Sequence, residues 1–324
     1  MRFLITGGAG FIGSHLAQRL VRRGYRVSVL DNLSTGRLGN LEPLVDARLV
    51  DFNWGSIQDR YTVEKLVGEA DFVVHLAASL GVKLILEHPV ESIETNVTGT
   101  QIVLEAAARN RTPVLIASTS EVYGKSNKVP FCEDDDLVLG STRKSRWSYA
   151  ASKILDECLA LSYWEEKQLP TIVVRFFNTV GPRQNARYGM VLPTFVQQAL
   201  AEVPITIHGD GKQSRCFCDV RDAVEAVTKL IDARAFGEIF NIGGTQEISI
   251  EDLAMLVRQR VGSRSQILYT PYDQAYGRGY EDMQRRVPSV EKLDGVTGFR
   301  PKIALQEIID RTAAHLRSTM IEVV

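Results

Sequence analysis

The sequence predicts an α/β fold, in which a doubly wound parallel sheet carries helices on both faces and a smaller α/β lobe follows it. A short apolar run at residues 2–6 leads into glycines at G-x-x-G-x-x-G spacing and then into a segment of helical periodicity. A second apolar run ends at an aspartate about twenty residues further on. Strand-sized apolar runs then alternate with helical segments, which is typical of a parallel sheet buried on both faces.

Charge and composition exclude several classes of protein. The chain has 324 residues, with 38 Lys and Arg against 39 Asp and Glu and a formal net charge of −1, so it offers no basic field for nucleic acid. Its apolar stretches are too short to span a membrane, and the N-terminus enters the first strand without an apolar signal region. We therefore expect a cytoplasmic enzyme that binds neither nucleic acid nor membrane.

The cysteine pattern indicates reduced thiols. Four cysteines are too few and too scattered for a disulfide framework. Cys216 and Cys218 alternate as in a strand and have no histidine nearby at zinc spacing. We expect mostly core thiols and no metal site, the four residues being Cys132, Cys158, Cys216 and Cys218.

The N-terminal segment predicts a dinucleotide site. Gly7 permits a sharp turn after the first strand, Gly10 lets the backbone approach a pyrophosphate, and Gly13 lets the next helix pack closely on its strand. Asp31, after the second strand, can accept hydrogen bonds from both ribose hydroxyls and repel a 2′-phosphate. NAD is therefore the expected cofactor, and Arg37 is the one feature that favours NADP.

Periodicity and turn residues predict the remaining elements. The third strand is expected to end at Asp51 and Phe52, where it can meet the adenine. The helix and strand within 222–242 repeat the α/β pattern, so we place them on the first sheet. The cofactor domain is then 1–176 with about 219–245, and the substrate lobe is about 177–218 with 246–324. The predicted strands are 2–6, 26–30, 48–52, 71–76, 113–118, 171–176, 205–208 and 238–242, and the predicted helices are 61–69, one from 89, 191–201, 222–232, 249–260 and one from 304.

The fourth and fifth strands end in small and polar residues. The fourth ends at His75, expected to be a packed histidine rather than a catalyst, and leads into small residues that let a flat ligand pass. The fifth runs into STSEVYG at 118–124, a cluster of hydroxyls and one carboxylate. Ligands of open α/β sheets bind at the carboxyl ends of strands, so chemistry is expected there. Asn96, on the helix between the two strands, is expected to link the backbone to this edge.

A tyrosine and a lysine four residues apart predict a catalytic base. Tyr149 and Lys153 share one face of a helix that follows a long loop at 125–146, and loops of this length usually belong to a site or its lid. The ammonium is expected to lower the pKa of the phenol, which makes it a usable base near neutral pH.

The motifs GGAGFIG, DNLSTG, HLAA, STSEVYG, YAASK and RFFNTVGPR occur in this order. With them the chain resembles, over nearly its whole length, the extended short-chain dehydrogenase/reductases that act on nucleotide sugars. The resemblance implies NAD as cofactor, a UDP-sugar as substrate, a homodimer formed through the helix of Tyr149, and a catalytic trio of Thr119, Tyr149 and Lys153. It implies contacts to the nucleotide diphosphate of the substrate at Asn178, Arg215 and the tail arginine Arg286, and a further substrate contact at Val191. The cofactor contacts expected from it, besides Tyr149 and Lys153, are Gly7, Gly10, Phe11, Ile12, Gly13, Asp31, Asn32, Ser34, Thr35, Gly36, Asp51, Phe52, Leu76, Ala77, Ala78, Asn96, Ser118, Phe176 and Val180.

Members of this family share the oxidation at C4 and differ in the chemistry after it. All begin when the tyrosine removes the C4 hydroxyl proton and hydride leaves C4, which gives a 4-keto sugar. The 4,6-dehydratases carry Asp-Glu after the catalytic threonine, whereas this chain has Ser120 and Glu121, which argues against dehydration. The usual 4-epimerases have a small or uncharged residue where Glu121 stands.

Within the family the chain looks most like the UDP-glucuronate decarboxylases, on STSEVYG, SRWSYAASK, GKQSRCFCDVRD and QRRVPS. A 4-keto group makes the C6 carboxylate a β-keto acid, so CO2 can leave and C5 must then receive a proton. The resemblance implies Ser120, Glu121 and Arg286 as the groups for these steps. Two departures, Val287 in the segment RVPS and the stretch SLGVKLILEHP, keep 4-epimerisation of a UDP-sugar open. A non-catalytic NAD-binding sensor is a third hypothesis, which the intact trio disfavours.

Overall fold

A computed structural model of the chain describes residues 1–81, 87–185, 190–276 and 281–321. Its strands are β1 (Arg2–Thr6), β2 (Arg26–Asp31), β3 (Val50–Trp54), β4 (Phe72–His75), β5 (Val114–Thr119), β6 (Thr171–Phe176), β7 (Thr179–Val180), β8 (Ile205–His208), β9 (Ser214–Cys216), β10 (Cys218–Asp219), β11 (Glu238–Ile242), β12 (Glu247–Ser249), β13 (Ile267–Thr270) and β14 (Arg285–Arg286). Its helices are α1 (Phe11–Arg22), α2 (Glu42–Asp46), α3 (Arg60–Gly68), α4 (Pro89–Asn110), α5 (Ser148–Lys167), α6 (Val191–Leu200), α7 (Val220–Asp232), α8 (Ile250–Val261), α9 (Tyr272–Tyr276), α10 (Glu291–Thr297) and α11 (Leu305–Ile321).

The centre of the fold is a seven-stranded parallel sheet in the order β11-β6-β5-β4-β1-β2-β3. The chain leaves β1 toward β3 and then returns to the other side of β1 at β4. This reversal makes a crevice at the carboxyl ends of β1 and β4, where open α/β sheets bind their ligands. The predicted doubly wound sheet is confirmed.

The sheet is buried on both faces because neighbouring residues of each strand point to opposite sides. On β1, Ile5 packs into the cluster formed with α1 and α7, whereas Leu4 packs into the cluster formed with α3, α4 and α5. Both side chains are completely buried. Full burial of an aliphatic side chain stabilises the fold by about 1.5–3 kcal/mol, which explains why the strands read as continuous apolar runs.

A second lobe packs around its own apolar cluster. Helices α6, α8 and α11 bury Phe195, Leu253 and Ile308 against one another. Beside this cluster lies a three-stranded sheet in the order β12-β9-β14, in which β14 pairs with β9 in parallel. Strand β14 therefore carries a residue from the C-terminal part of the chain to the border between the two lobes.

The structure tests the expectations for individual elements. Strand β11 lies beside β6, so the helix and strand within 220–242 return to the main sheet as predicted. The predicted end of the third strand is wrong, because β3 continues to Trp54. Residues 82–86, within the segment SLGVKLILEHP, lie outside the described residues. The division into two domains stays a prediction.

Three further features concern partners and chemistry. Within the described ranges, no helix is both long and apolar enough to cross a membrane, and no group of three His, Cys, Asp or Glu is placed to hold a metal ion. All four cysteines are free thiols; Cys216 and Cys218 are buried, while Cys158 is exposed. Burial raises the pKa of Cys216 to about 12. The cytoplasmic location stays a prediction.

Candidate active site

The turn between β1 and α1 has no room for side chains. Gly7 has a φ of +71°, and a Cβ there would lie 2.7 Å from the backbone nitrogen of Ala77. A Cβ on Gly13 would overlap the carbonyl oxygen of Gly7, which accepts a hydrogen bond from the Gly10 nitrogen at 3.1 Å. Only glycine fits the positive φ and these close approaches. The predicted Phe11 and Ile12 begin α1 on this turn, so its N-terminal amides lie where a pyrophosphate can bind.

Asp31 lies at the carboxyl end of β2, beside the glycine turn. Its two oxygens accept hydrogen bonds from the backbone nitrogens of Ala9 at 2.9 Å and Leu33 at 2.8 Å. The side chain is 8% exposed, and burial raises the pKa of its carboxyl. Each carboxylate oxygen has a second lone pair, so the residue can still accept from a ribose diol. The turn and Asp31 therefore fit a dinucleotide.

The loop after Asp31 packs against the same turn. The Asn32 side chain accepts a hydrogen bond from the Ser34 nitrogen at 3.1 Å, which closes a local turn before Thr35. A Cβ on Gly36 would lie 2.9 Å from the carbonyl carbon of Ala9. The predicted DNLSTG loop thus borders the proposed cofactor site.

Asp51 and Phe52 are not at the end of their strand, which corrects the expectation for both. Asp51 lies opposite Ser28, and its carboxylate is 3.2 Å from a guanidinium nitrogen of Arg2, at the start of β1. Phe52 packs into the core. The sequence D-F-N-W alternates polar and apolar residues as a half-buried strand does, so this alternation could have revealed that the strand continues to Trp54.

Asn53 and Trp54 occupy the edge that had been assigned to Asp51 and Phe52. Trp54 is the register partner of Asp31, and its side chain is 72% exposed. An exposed indole beside the carboxylate for the ribose offers a flat surface to a base. Asn53 and Trp54 are therefore the residues of β3 at this edge, and the residues that contact the adenine stay a prediction.

The end of β4 is shaped by a buried histidine. His75 Nδ1 lies 2.7 Å from the Thr6 hydroxyl and Nε2 lies 3.1 Å from the Thr100 hydroxyl. Burial lowers the pKa of His75 to about 3, so the ring is neutral at pH 7. The residue is a packed histidine, as predicted. His75 therefore fixes the start of residues 76–78, whose backbone lies close to the glycine turn.

Asn96 connects the segment after β4 to α5. Its side-chain oxygen accepts a hydrogen bond from the Ser79 nitrogen at 2.8 Å, and its nitrogen donates to the Ser152 hydroxyl at 3.2 Å. Side chains on the helix that carries Tyr149 are thereby held to the sheet edge. This is the linking role expected for Asn96.

The side chain of Ser118 takes part in a buried hydrogen bond within the protein. Its hydroxyl donates to Glu157, which also binds Arg175 at 2.7 Å in a buried ion pair. Glu157 lies on α5 and Arg175 on β6, so Ser118 helps to fix that helix on the sheet. The hydroxyl is thus part of this structural pair, and a cofactor contact by the rest of Ser118 stays a prediction.

Helix α5 brings Tyr149 to the end of β5, where its phenol is hydrogen-bonded to the Thr119 hydroxyl. Lys153 lies one turn further on, and its ammonium donates to Asp156 at 2.9 Å. Burial raises the pKa of Tyr149 well above its usual value, and the carboxylates of Glu121 and Asp156 raise it further. The lowered pKa expected from Lys153 is not seen in the chain alone, first because the phenol is buried and also because Asp156 pairs with the ammonium. The spacing of Lys153 and Asp156, three residues apart on one helix, could have revealed this pair.

Glu121 lies between two arginines, next to the buried Ser120. Its carboxylate accepts a hydrogen bond from Arg146, and a guanidinium nitrogen of Arg286 is 3.4 Å from its other oxygen. Burial opposes ionisation of Glu121, but the guanidiniums of Arg146 and Arg286 outweigh it and keep the pKa of the carboxyl below its usual range. The structure therefore brings together Glu121 and Arg286, which the sequence assigned to the same chemical step.

A second carboxylate extends this group. Because β14 pairs with β9, Arg286 is the register neighbour of Arg215, and Asp282 lies 2.8 Å from Arg215 and 3.5 Å from Arg286. We call Glu121, Arg146, Arg215, Asp282 and Arg286 the arginine cluster. Its three guanidiniums face two carboxylates, so the cluster itself carries one net positive charge that can attract an anionic group. Arg146 and Asp282 were missed, because neither lies in a spacing that connects it to Glu121.

The other predicted residues line the border with the second lobe. Asn178 follows β6, and its side-chain nitrogen donates to the Cys216 carbonyl at 2.9 Å. Val180 is buried in β7, Val191 begins α6, and Phe176 ends β6. These positions surround the carboxyl end of β6 and lead toward the arginine cluster.

The glycine turn and the tyrosine–lysine helix meet at one edge of a parallel sheet, and this combination is that of an extended short-chain dehydrogenase/reductase. The chain belongs to the NAD dependent epimerase/dehydratase family, whose pattern matches residues 3–243.

Three known proteins illustrate the similarity. The chain is 43% identical over 318 residues to a UDP-N-acetyl-alpha-D-glucosaminuronate decarboxylase of Bacillus cytotoxicus, covering 98% of both chains. It is 33% identical over 321 residues to UDP-glucuronic acid decarboxylase 1 of Xenopus tropicalis, covering 98% of this chain and 73% of that protein. Its fold matches a UDP-glucuronic acid 4-epimerase from Bacillus cereus, solved with UDP-glucuronic acid and NAD, with a TM-score of 0.89 at 26% identity, covering 98% of this chain and 100% of the other.

Proposed function

We propose that this chain is an NAD-dependent decarboxylase of a UDP-linked hexuronate that works through a 4-keto sugar. The observation that carries the proposal is the buried arginine cluster beside Tyr149, with three guanidiniums against two carboxylates. An ionised C6 carboxylate adds a second anion for this excess charge, whereas an uncharged sugar offers the cluster only the diphosphate that all UDP-sugars share. The decarboxylase of Bacillus cytotoxicus supports UDP-N-acetylglucosaminuronate as the first substrate to test and UDP-glucuronate as the second.

NAD fits the glycine turn and Asp31. When bound, it takes a hydride from C4 of the sugar and later returns it. Tyr149 is the group that accepts the C4 hydroxyl proton, and Thr119 orients its phenol. Because the pKa of Tyr149 is raised in the chain alone, the phenol works as a base only when positive charge is brought close to it.

Arg146 and Arg286 would hold the sugar carboxylate. Once C4 is a ketone, the carboxylate belongs to a β-keto acid, and loss of CO2 leaves its electrons on the C4 oxygen, near Thr119 and Tyr149. The enolate then takes a proton at C5, with water as the source, which restores the 4-ketone before hydride returns to C4. Glu121 is held ionised by its two arginines, so it is not a store of protons at neutral pH. Its proposed role is to position the guanidiniums, which replaces the acid role suggested by the resemblance.

A second candidate is 4-epimerisation of a UDP-hexuronate. The fold match to the Bacillus cereus 4-epimerase favours it, since that enzyme was solved with UDP-glucuronic acid. The same cluster would then bind the carboxylate without releasing CO2. Dehydration has no comparable support, because Ser120 stands where dehydratases of the family carry an aspartate.

The test is incubation of the protein with NAD and each UDP-hexuronate, followed by mass spectrometry of the sugar nucleotide. A product lighter by the mass of CO2 supports decarboxylation, and Tyr149→Phe should give none. A product of unchanged mass that separates chromatographically from the substrate would establish epimerisation instead. Binding without any conversion would favour the sensor hypothesis.

We also propose a homodimer formed through α4 and α5. The two helices pack against each other and leave apolar side chains facing outward, among them Val90, Ile93 and Leu155. Exposed apolar residues grouped on neighbouring helices indicate a surface that a second copy can cover.

A further inference from the structure

A basic cavity lies outside the candidate active site. It has a volume of about 510 Å³ and is bordered by α1, α7, α11 and the segment after β7. No carboxylate lines it within the part of the chain that the structure describes. Six arginines do, namely Arg19, Arg22, Arg23, Arg183, Arg221 and Arg311.

Carboxylates beside the cavity neutralise four of these arginines. The pairs fix the guanidiniums in place but leave little net charge on them. They are Arg19–Glu225, Arg23–Asp232 at 3.0 Å, Arg311–Asp219 at 2.8 Å, and Arg221 with both Asp219 at 3.0 Å and Glu307 at 2.6 Å, so four carboxylates face the four arginines.

Arg183 and Arg22 carry the uncompensated charge. Among the described residues, neither takes part in an ion pair. Nη2 of Arg183 donates to the Gln18 side chain at 3.4 Å, while its Nη1 is buried without any hydrogen-bond partner. Burial and the neighbouring Arg22 lower the pKa of Arg183. A buried donor without an acceptor costs free energy, and an anion in the cavity would remove that cost.

The segment that carries Arg183 is held in place. His15 on α1 lies 3.0 Å from the Pro182 carbonyl oxygen through its Nε2. Burial lowers the pKa of His15 to about 4, so the ring is neutral and donates this hydrogen bond without adding charge. Arg183 is therefore positioned before any ligand arrives, which reduces the entropy cost of binding.

We propose that this cavity binds a small anion with a diphosphate or triphosphate group. A ligand that neutralises two guanidiniums must carry at least two negative charges. A planar guanidinium can also donate two parallel hydrogen bonds to the oxygens of one phosphate. The volume lies within the range of small-molecule sites. Apolar lining is limited to Pro182 and Val224, so the phosphates rather than a base are recognised.

The test is calorimetric titration of the full chain with inorganic tripolyphosphate, in the presence of saturating NAD and UDP to occupy the proposed active site. We expect one anion per chain. The double variant Arg22→Gln, Arg183→Gln should weaken binding about tenfold or more, because both uncompensated charges are lost. ATP should bind with an affinity similar to tripolyphosphate.

The matched control is Arg26→Gln, Arg264→Gln, which removes two exposed arginines elsewhere and the same net charge. It should bind tripolyphosphate like the wild type. Absence of binding to the wild type, equal weakening in both double variants, or undiminished binding in Arg22→Gln, Arg183→Gln would overturn the proposal. Thermal unfolding and turnover are both measured without tripolyphosphate. Values equal to those of the wild type show that the variants are folded.

Discussion

Asp156 governs the charge that surrounds Tyr149. Its carboxylate lies 2.9 Å from the Lys153 ammonium, and both groups are buried, so the pair contributes little net positive potential at the phenol. Glu121 adds a negative charge nearby. Burial is the largest cause that raises the pKa of Tyr149, and the carboxylates of Glu121 and Asp156 raise it further, although a tyrosine and a lysine at this spacing predict the opposite. Burial and the neighbouring carboxylates together outweigh the effect expected from the lysine alone.

Tyr149→Phe should abolish hydride transfer from the UDP-hexuronate. Only the phenolic oxygen is lost, and removal of a general base typically costs about 10² to 10⁴ in rate. The measurement is single-turnover formation of the reduced nicotinamide, with NAD affinity determined separately to show that the fold is intact. Tyr163→Phe, on the same helix, is the control. Turnover of Tyr149→Phe close to that of the control would place the base elsewhere.

Asp31 should determine the choice of cofactor. The wild type is expected to bind NAD more tightly than NADP by about 2 to 4 kcal/mol, because a 2′-phosphate loses hydrogen bonds and meets a like charge. Asp31→Ala should narrow this difference in calorimetric titrations. Asp51→Ala should leave it unchanged, since Asp51 is bound to Arg2 at the other end of the sheet. The reverse result would restore the original assignment of Asp51.

Glu121 should make stability depend on acid pH. Its pKa is lower in the folded chain than in the unfolded one, so the unfolded state binds more protons and stability rises with pH. The contribution is present above the unfolded pKa and is lost as pH falls through the folded pKa. The free energy of unfolding, measured with denaturant across this acid range, should therefore rise less steeply with pH for Glu121→Gln than for the wild type. Glu91→Gln, at an exposed site on α4, should keep the wild-type slope.

Strands buried on both faces could be predicted closely from the sequence, whereas β3 could not. β1, β2 and β6 are mainly apolar, and their observed limits agree with the prediction to within one residue. β3 has one face against the core and one toward solvent, with Asp51 and Asn53 on its course. The alternation of Asp51, Phe52, Asn53 and Trp54 is that of a half-buried strand, and a search for continuous apolar runs therefore ends this strand two residues too early.

The arginine cluster shows which part of the site the sequence could not predict. The glycine turn and the tyrosine–lysine pair lie within short segments, so spacing was enough to find them. Arg146 and Asp282 meet only because α5 and β14 are brought to the same sheet edge by the fold. Nothing in local spacing indicates a contact between residues so far apart in the chain. Recognition of Glu121 and Arg286 came from resemblance rather than from geometry.

Leu155→Glu should separate the proposed homodimer into monomers. Leu155 is 45% exposed on the outward face of α5, and a carboxylate buried in an apolar interface costs about 2 kcal/mol or more. Sedimentation velocity over a range of concentrations gives the measurement. Met255→Glu, a similarly exposed position on α8, should leave the assembly unchanged. A monomeric wild type would contradict the proposed interface.

At the scale of the whole molecule, the two lobes meet through charge. Glu121 follows β5 of the main sheet, whereas Asp282 and Arg286 come from the C-terminal part of the chain. The substrate carboxylate would therefore bind where the lobes adjoin, and a change at this border should alter recognition of the carboxylate without disturbing the cofactor turn.

Arg286→Gln should discriminate between sugars with and without a carboxylate. Loss of one partner of a buried charged pair costs about 2 to 5 kcal/mol, so affinity for UDP-glucuronate should fall about thirtyfold or more. Affinity for UDP-glucose should fall much less, because it shares the diphosphate but has no carboxylate for Arg286 to bind. The control is Arg285→Gln, the neighbouring residue of β14, which is exposed and pairs with Glu247 at 2.7 Å. Equal losses for both sugar nucleotides in competition calorimetry would mean that Arg286 supports the lobe structure and does not recognise the carboxylate.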